Sequence, residues 1–220
     1  MFIDELTRSF KTHANPEHAF HMKAYMKNHF EFFGIKAALR RQLFAAAIAN
    51  NKEEIHANCR DLVKKMYGIP FREIHLCAME LFHRIHKKSF AEEDIELIEF
   101  LITNNSWWDT VDFIAKYLLG LYLKQFPDNK ESVIEKFSGS DDMWLNRSTL
   151  LFQLGYKSET DSGILFELSR KFSDSNEFFI KKAIGWALRE YAKTKPEAVL
   201  DFVNSTQLKP LSKREAIRNI

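Results

Sequence analysis

The stretch Ser-Trp-Trp-Asp-Thr-Val-Asp-Phe-Ile-Ala, residues 106–115, combines two adjacent tryptophans with two carboxylates three residues apart. Apolar residues after it recur at helical spacing, which predicts a helix that begins near Ser106. In such a helix Trp108 and Asp112 are four residues apart and lie on one face. A carboxylate beside an indole ring suits the binding of a cation better than it suits a protein core.

Structural roles account for the other residues of this stretch. Ser106 is expected to cap the helix, Asp109 to lie in the first turn where negative charge is favourable, and Trp107 to pack in the core. Asp112 lies one turn further in among apolar neighbours, where an unpaired carboxylate would be costly. It is therefore the candidate for a functional role.

The remainder of the chain is also predicted to be helical. Seven glycines and five prolines in 220 residues leave little material for a sheet with many turns, and no segment has the pattern of a strand. The sequence thus predicts an all-α protein. The predicted helices cover about 2–13, 16 to before 34, 37–49, 52–67, 70–88, 92–101, 106–125, 128–137, a helix after Asp141 or Asp142 that contains residues 144–152, and then 160–170, 176–193, 196–203 and 211–220. Asn15, followed by Pro16 and Glu17, is expected to cap the second of them.

An aromatic residue recurs near the start of four of these helices. Phe71, Trp108, Trp144 and Phe179 are separated by 37, 36 and 35 residues. Helix pairs of this period are typical of HEAT-like repeats, which stack into an α-solenoid with a concave surface. We therefore expect residues 1–220 to form one domain of such repeats.

The same interval of about 36 residues predicts a cluster of polar residues. Asp112, Arg147 and Lys182 follow three successive anchors by three or four residues, so they belong to adjacent repeats. If the second helix of each repeat lines the concave face, these three side chains converge there. Trp108 and Trp186 are expected nearby.

The charge is unevenly distributed along the chain. Residues 1–90 carry 15 basic and 9 acidic side chains, and residues 179–220 carry 9 and 4, whereas residues 91–142 carry 4 and 12. Two basic ends flanking an acidic middle fit a protein that binds a polyanion with both ends. Ordinary solvated helix faces are the alternative, which charge alone leaves open.

Several classes of protein are disfavoured by what the sequence lacks. The two cysteines, Cys59 and Cys77, have no metal-binding spacing, and no histidine pair has a suitably spaced acidic or cysteine partner, so no metal site is expected. A glycine-rich phosphate loop and a Ser/His/Asp arrangement are also missing from the sequence. The beginning of the chain is unlike a signal peptide and no apolar run could cross a bilayer, which predicts a cytoplasmic protein without a membrane partner.

Five segments resemble AlkD-type DNA alkylation repair glycosylases. They are Ser-Trp-Trp-Asp-Thr-Val-Asp at 106–112, Trp-Leu-Asn-Arg at 144–147, the helix at 178–192, Tyr-Met-Lys-Asn-His-Phe at 25–30 and Leu-Ser-Lys-Arg-Glu-Ala-Ile at 211–217. The resemblance extends over essentially the whole chain. It implies a superhelix of HEAT-like repeats that holds duplex DNA in a concave, basic groove, as a monomer and without a cofactor. It also implies hydrolysis of the N-glycosidic bond of cationic N3- or N7-alkylated purines without base flipping, in the bacterial cytoplasm.

The resemblance assigns roles to individual residues. It implies that Asp112 is catalytic, that Trp108 and Trp186 contact the substrate, that Arg147 lies beside Asp112 near the DNA backbone, and that Tyr25 is the aromatic residue of the N-terminal helix pair. Further DNA contacts are expected from the cations Lys182, Arg189, Arg40, Arg41, Lys213 and Arg214. Arg40 and Arg41 are expected to point partly outward from their helix.

One departure from the family pattern leaves a second function open. Ala37-Ala38 stands where family members often have Thr-Pro, which removes a capping hydroxyl from the start of a helix. A non-catalytic, HEAT-like DNA-binding protein is therefore the alternative to a glycosylase. A protein-interaction scaffold without a nucleic-acid partner is disfavoured by the Asp/Trp/Arg set. The preference between N3-methyladenine and N7-methylguanine stays open.

Overall fold

The computed structural model describes residues 1–218 and 220, and these form two compact units, residues 1–89 and residues 90–220. Unit 1 contains α1 (Phe2–Thr12), α2 (Pro16–Tyr25), α3 (Ala37–Asn50), α4 (Lys52–Tyr67) and α5 (Arg72–His86). Unit 2 contains α6 (Asp94–Thr103), α7 (Trp108–Phe113), a π-helix (Ile114–Leu119), α8 (Gly120–Gln125), α9 (Lys130–Ser138), α10 (Met143–Leu151), α11 (Ser162–Lys171), α12 (Phe178–Ala192), α13 (Pro196–Ser205) and α14 (Pro210–Ala216). Short 3₁₀ turns at Pro127–Asn129 and Lys157–Glu159 complete unit 2.

The all-α class is confirmed. Over the described residues there is no strand, and the single β-type contact is an isolated bridge between Glu31 and Phe71. Within each unit the helices pack mainly against helices that are near in the sequence, as in an α-solenoid. Every helix in the described part of the chain is too short or too polar to span a bilayer.

Most of the predicted helices are present with shifted ends. The second one was expected to include His29 and to end before Gly34, but α2 ends at Tyr25. The last one was expected over 211–220, but α14 ends at Ala216. Asn219, which falls in that predicted range, lies outside the described residues. The organisation of residues 1–220 as one domain of repeats stays a prediction.

The first helix of unit 1 shows why these residues form helices. Phe2, Leu6 and Phe10 recur every four residues and are completely buried, which places one apolar stripe of α1 in the core. Asn15 then caps α2, because its side-chain oxygen accepts a 2.9 Å hydrogen bond from the N–H of His18. The predicted cap at Asn15 is confirmed.

A buried carboxylate fixes the loop between α2 and α3. Glu73 of α5 is 2% exposed and accepts hydrogen bonds from the N–H groups of Phe33, Gly34 and Ile35 at 2.9–3.1 Å. Gly34 has a φ of +84°, and a Cβ added there would lie 2.0 Å from the carbonyl oxygen of Asn15. Only glycine fits this turn, which sets the position from which α3 starts.

Candidate active site and nucleic-acid interface

Asp112 lies on a continuous helix of unit 2. α7 (Trp108–Phe113) runs directly into the π-helix (Ile114–Leu119) and then into α8 (Gly120–Gln125). This confirms the helix predicted over 106–125 except at its first residues. The wider π segment that begins two residues after Asp112 was not predicted. Such segments inside α-helices are frequent at functional sites.

The start of this helix differs from the prediction. Trp107, with extended backbone dihedrals, is the residue before the first helical turn. The hydroxyl of Ser106 donates a 2.6 Å hydrogen bond to the carbonyl of Ile102 at the end of α6. The expected cap by Ser106 is therefore wrong, because Ser106 stands one residue too early to reach the first turn. Asp109 does lie in that turn.

The carboxylate of Asp112 and the guanidinium of Arg147 form a two-point ion pair. Nε of Arg147 donates to Oδ1 at 2.7 Å and Nη2 donates to Oδ2 at 2.9 Å. The side chain of Arg147 is 4% exposed and that of Asp112 is 16% exposed. The structure therefore brings together two of the three residues predicted to converge, and it leaves the carboxylate partly accessible.

Opposing effects act on the ionisation of Asp112. Burial raises the pKa of its carboxyl, and the two hydrogen bonds and positive charge of Arg147 offset part of that rise. The neighbouring charge of Asp109 raises the pKa further. Arg147 is thus the group that favours the charged form of Asp112.

Arg147 also contacts a third helix. Its Nη1 donates a short hydrogen bond to the backbone carbonyl of Phe179 in the first turn of α12, and its guanidinium carbon lies 5.8 Å from the centre of the Phe179 ring. A single buried side chain on α10 therefore joins α7 to α12. The predicted contact of Arg147 with the DNA backbone stays a prediction.

Three aromatic rings pack beside this pair. Trp107, Trp144 and Phe179 contact one another with ring centroids 5.0–5.7 Å apart. The repeat predicted that Trp108 occupies the position equivalent to Trp144 and Phe179, but the residue in that cluster is Trp107. Trp108 is half-buried and precedes Asp112 by one helical turn. Trp107 precedes the first turn of α7 with extended backbone dihedrals, whereas Trp144 and Phe179 are the second residues of their helices, so the three rings meet without occupying equivalent helix positions.

The predicted cations of α12 are paired with a residue that was not predicted. Lys182 was expected to converge with Asp112, but its Nζ lies 3.1 Å from Oε1 of Glu215. Arg189 donates to Oε2 of the same carboxylate at 2.7 Å. Trp186 is half-buried and lies between these two cations in the sequence of α12. The signal for Glu215 was its place as an acid directly after Lys213 and Arg214.

The predicted DNA contacts of unit 1 occupy different environments. Tyr25 is 71% exposed at the end of α2, and Arg41 is exposed on α3. Arg40 was expected to point partly outward, and this is wrong. It is 4% exposed, and its two terminal nitrogens donate to the carboxylate of Glu80 at 2.5 and 3.0 Å. The reason is that Glu80 of α5 supplies a half-buried partner, which the local spacing in α3 does not reveal.

The remaining predicted cations lie near the end of unit 2. Lys213 and Arg214 are both exposed on α14, where they lie between the buried Ser212 and Glu215. This exposure leaves their side chains accessible to a ligand. Among the described residues, no group of three or more His, Cys, Asp or Glu side chains is placed to hold a metal ion.

The chain is similar to known proteins over almost its whole length. Residues 6–220 match the family model described as DNA alkylation repair enzyme. A solved structure described as a predicted DNA alkylation repair enzyme from Enterococcus faecalis is 30% identical, with a TM-score of 0.84. The similarity covers 94% of this chain and 96% of that one. No curated protein matches the chain.

Proposed function

The chain belongs to the DNA alkylation repair enzyme family, and from this premise we propose that it is a DNA glycosylase acting on cationic N3- or N7-alkylated purines in duplex DNA. Membership supports a role in DNA repair with DNA as the partner. The observation that carries the finer proposal is the partly exposed carboxylate of Asp112, which a buried arginine fixes one helical turn from Trp108.

The substrate determines what the enzyme must supply. An N3- or N7-alkylated purine already carries a positive charge, so it departs as a neutral base when the C1′–N bond breaks and its electron pair stays with the nitrogen. Protonation of the leaving group by a general acid is therefore unnecessary. The sugar is left with positive charge at C1′ and O4′, and a water molecule then bonds to C1′ and loses a proton.

Asp112 has the charge and the fixed orientation for this reaction. A carboxylate held close to C1′ stabilises the developing cation, and preorganised charges of this kind lower barriers because they need no reorientation during the reaction. The same oxygen atoms can orient the attacking water and accept its proton. Arg147 uses two of the lone-pair sites of the carboxylate, which leaves others for the sugar and the water.

The tryptophans supply affinity for the charged nucleotide. An indole face attracts a cation by roughly 0.5–2 kcal/mol, depending on how far the pair is desolvated. Trp108 and Trp186 are both half-buried, so each combines a fixed ring with accessible surface. Because the attraction depends on the positive charge of the lesion, it favours alkylated over normal purines without a deep base pocket.

The test compares a cationic base with a neutral one. Two duplexes of the same sequence carry a single N7-methylguanine or a single hypoxanthine, and release of free base is measured under single turnover with excess protein. We expect release of N7-methylguanine and none of hypoxanthine, since no general acid assists the neutral base. Absence of release from both duplexes, with salt-sensitive DNA binding intact, would favour the non-catalytic DNA-binding protein instead.

A further inference from the structure

A buried carboxylate on α14 lies between two cations of α12. Oε1 of Glu215 is 3.1 Å from Nζ of Lys182, and Oε2 accepts a 2.7 Å hydrogen bond from Nη1 of Arg189. The same Nη1 also donates to the backbone carbonyl of Glu215 at 3.1 Å. Hydrogen bonds from Arg189 and Lys182 lower the pKa of Glu215, so the carboxylate is charged at neutral pH.

The absence of a side chain at Gly185 makes this geometry possible. A Cβ added to Gly185 would lie 2.4 Å from Cβ of Glu215 and 3.0 Å from the carbonyl oxygen of Ser212. The backbone of α14 therefore approaches α12 more closely than another residue would permit. At this distance the carboxylate of Glu215 reaches Lys182, three residues before the glycine, and Arg189, four residues after it.

The two cations keep accessible surface while the carboxylate does not. The side chains of Lys182 and Arg189 are 37% and 20% exposed, against 8% for Glu215. An ammonium has three N–H donors and a guanidinium has five, more than this single carboxylate and one carbonyl engage. Lys213 and Arg214 are exposed on the adjoining turn of α14. Two basic residues thus contact the buried acid, and two exposed ones directly precede it in the sequence.

We propose that Glu215 is a positioning residue for DNA binding, which holds Lys182 and Arg189 on either side of Trp186 so that both contact phosphates of the bound strand. This inference rests on the proposed function, because that function determines how the bound strand is oriented relative to Trp186. Long basic side chains lose rotamer freedom when they bind a phosphate. A buried carboxylate that already restricts them reduces this loss at the moment of binding.

Two simpler roles of Glu215 predict results that differ from those of the proposed role. If its only effect were to cancel positive charge, removal of its charge would tighten DNA binding and steepen the dependence of binding on salt, because more counterions would be released. If its only effect were to join α14 to α12, removal would lower the melting temperature and leave the salt dependence unchanged. Under the proposed role, binding weakens and the salt dependence becomes shallower.

The experiment measures Kd for an undamaged duplex at several salt concentrations, with Glu215→Gln and Glu215→Asp. The first variant removes the charge at nearly constant size. The second keeps the charge but is one methylene shorter, so it cannot reach both cations. Asp201→Asn is the matched control, since it removes one acidic charge from an exposed position of α13 in the same unit. Circular dichroism confirms that each variant is folded at the temperature of the binding measurement.

We expect both Glu215 variants to bind the duplex at least roughly fivefold more weakly than the wild-type protein. This loss corresponds to the entropy of ordering two long side chains on DNA. The slope of log K against log salt should become shallower by about 0.9 for each phosphate contact that is lost. Asp201→Asn should bind within twofold of the wild-type protein. Equal or tighter binding by Glu215→Gln, or wild-type binding by Glu215→Asp, would overturn the proposal. Because the duplex is undamaged, the result stands whether or not the protein excises alkylated bases.

Discussion

Replacement of Arg147 by methionine removes the guanidinium and keeps an apolar side chain in its place. The substitution deletes both hydrogen bonds to Asp112 and the hydrogen bond to the carbonyl of Phe179. Because Arg147 is 4% exposed, water cannot readily take over these contacts. The carboxylate of Asp112 is left without its buried cation.

The size of the effect follows from burial. Removing one partner of a buried ion pair costs about 3–5 kcal/mol. Asp112 keeps 16% exposure and can regain some hydration, which places the expected loss of unfolding free energy at about 3–4 kcal/mol. For a chain of 220 residues each kcal/mol shifts Tm by roughly 2–4 °C, so Tm should fall by roughly 6–16 °C.

The loss of unfolding free energy in Arg147→Met should also depend on pH in a defined direction. Burial raises the pKa of Asp112 in the folded protein, and without Arg147 nothing offsets that rise. A carboxyl with a raised folded-state pKa favours the folded state at low pH, and this contribution is lost as pH rises through the folded-state pKa. The destabilisation by Arg147→Met should therefore be smallest in acid and grow towards neutral pH. The acidic limb of the excision rate should move to higher pH in this variant.

The assay is thermal unfolding of four proteins: wild type, Arg147→Met, Asp112→Asn and the double variant. Removing the carboxylate from Arg147→Met removes the unpaired charge, so the double variant should be more stable than Arg147→Met alone. A Tm within 2 °C of wild type for Arg147→Met at pH 7.5, or a double variant no more stable than Arg147→Met, would refute the reasoning.

Three further substitutions test separate parts of the structure. Gly185→Ala should lower the unfolding free energy by about 1–3 kcal/mol, because its Cβ would lie 2.4 Å from Cβ of Glu215; a denaturant titration with an unchanged midpoint would contradict the close helix contact. Gly34→Ala should destabilise the protein at least as strongly, since the added Cβ would lie 2.0 Å from the carbonyl oxygen of Asn15 at a φ of +84°; normal thermal unfolding would show that the turn can rearrange. Arg41→Gln should reduce the salt slope of duplex binding by about 0.9, whereas an unchanged slope would remove Arg41 from the DNA contacts.

The sequence was sufficient to predict most of the helices and the central pair of the candidate site. Apolar residues at helical spacing and the cap at Asn15 are local signals, and both were confirmed in the structure. The interval of about 36 residues placed Asp112 and Arg147 on adjacent helical repeats, and their side chains do meet. That success came from comparing equivalent positions along the chain, which local spacing alone does not permit.

Features that depend on contacts between helices distant in sequence were missed. Lys182 and Arg40 were both predicted from their own helices, but the acids that bind them, Glu215 and Glu80, belong to other helices. Trp107 joins the aromatic cluster in place of the expected Trp108. It precedes the first turn of α7 with extended backbone dihedrals, so helical spacing does not predict the direction of its side chain.

The most direct measurement of the central claim is release of free N7-methylguanine from a duplex with one such lesion, by wild type, Asp112→Asn and the exposed control Asp201→Asn. Single-turnover rates at saturating protein separate chemistry from binding. The proposed role predicts release by wild type and Asp201→Asn, and a rate at least about 100-fold lower for Asp112→Asn with unchanged affinity for the duplex. Release by Asp112→Asn at the wild-type rate would contradict it.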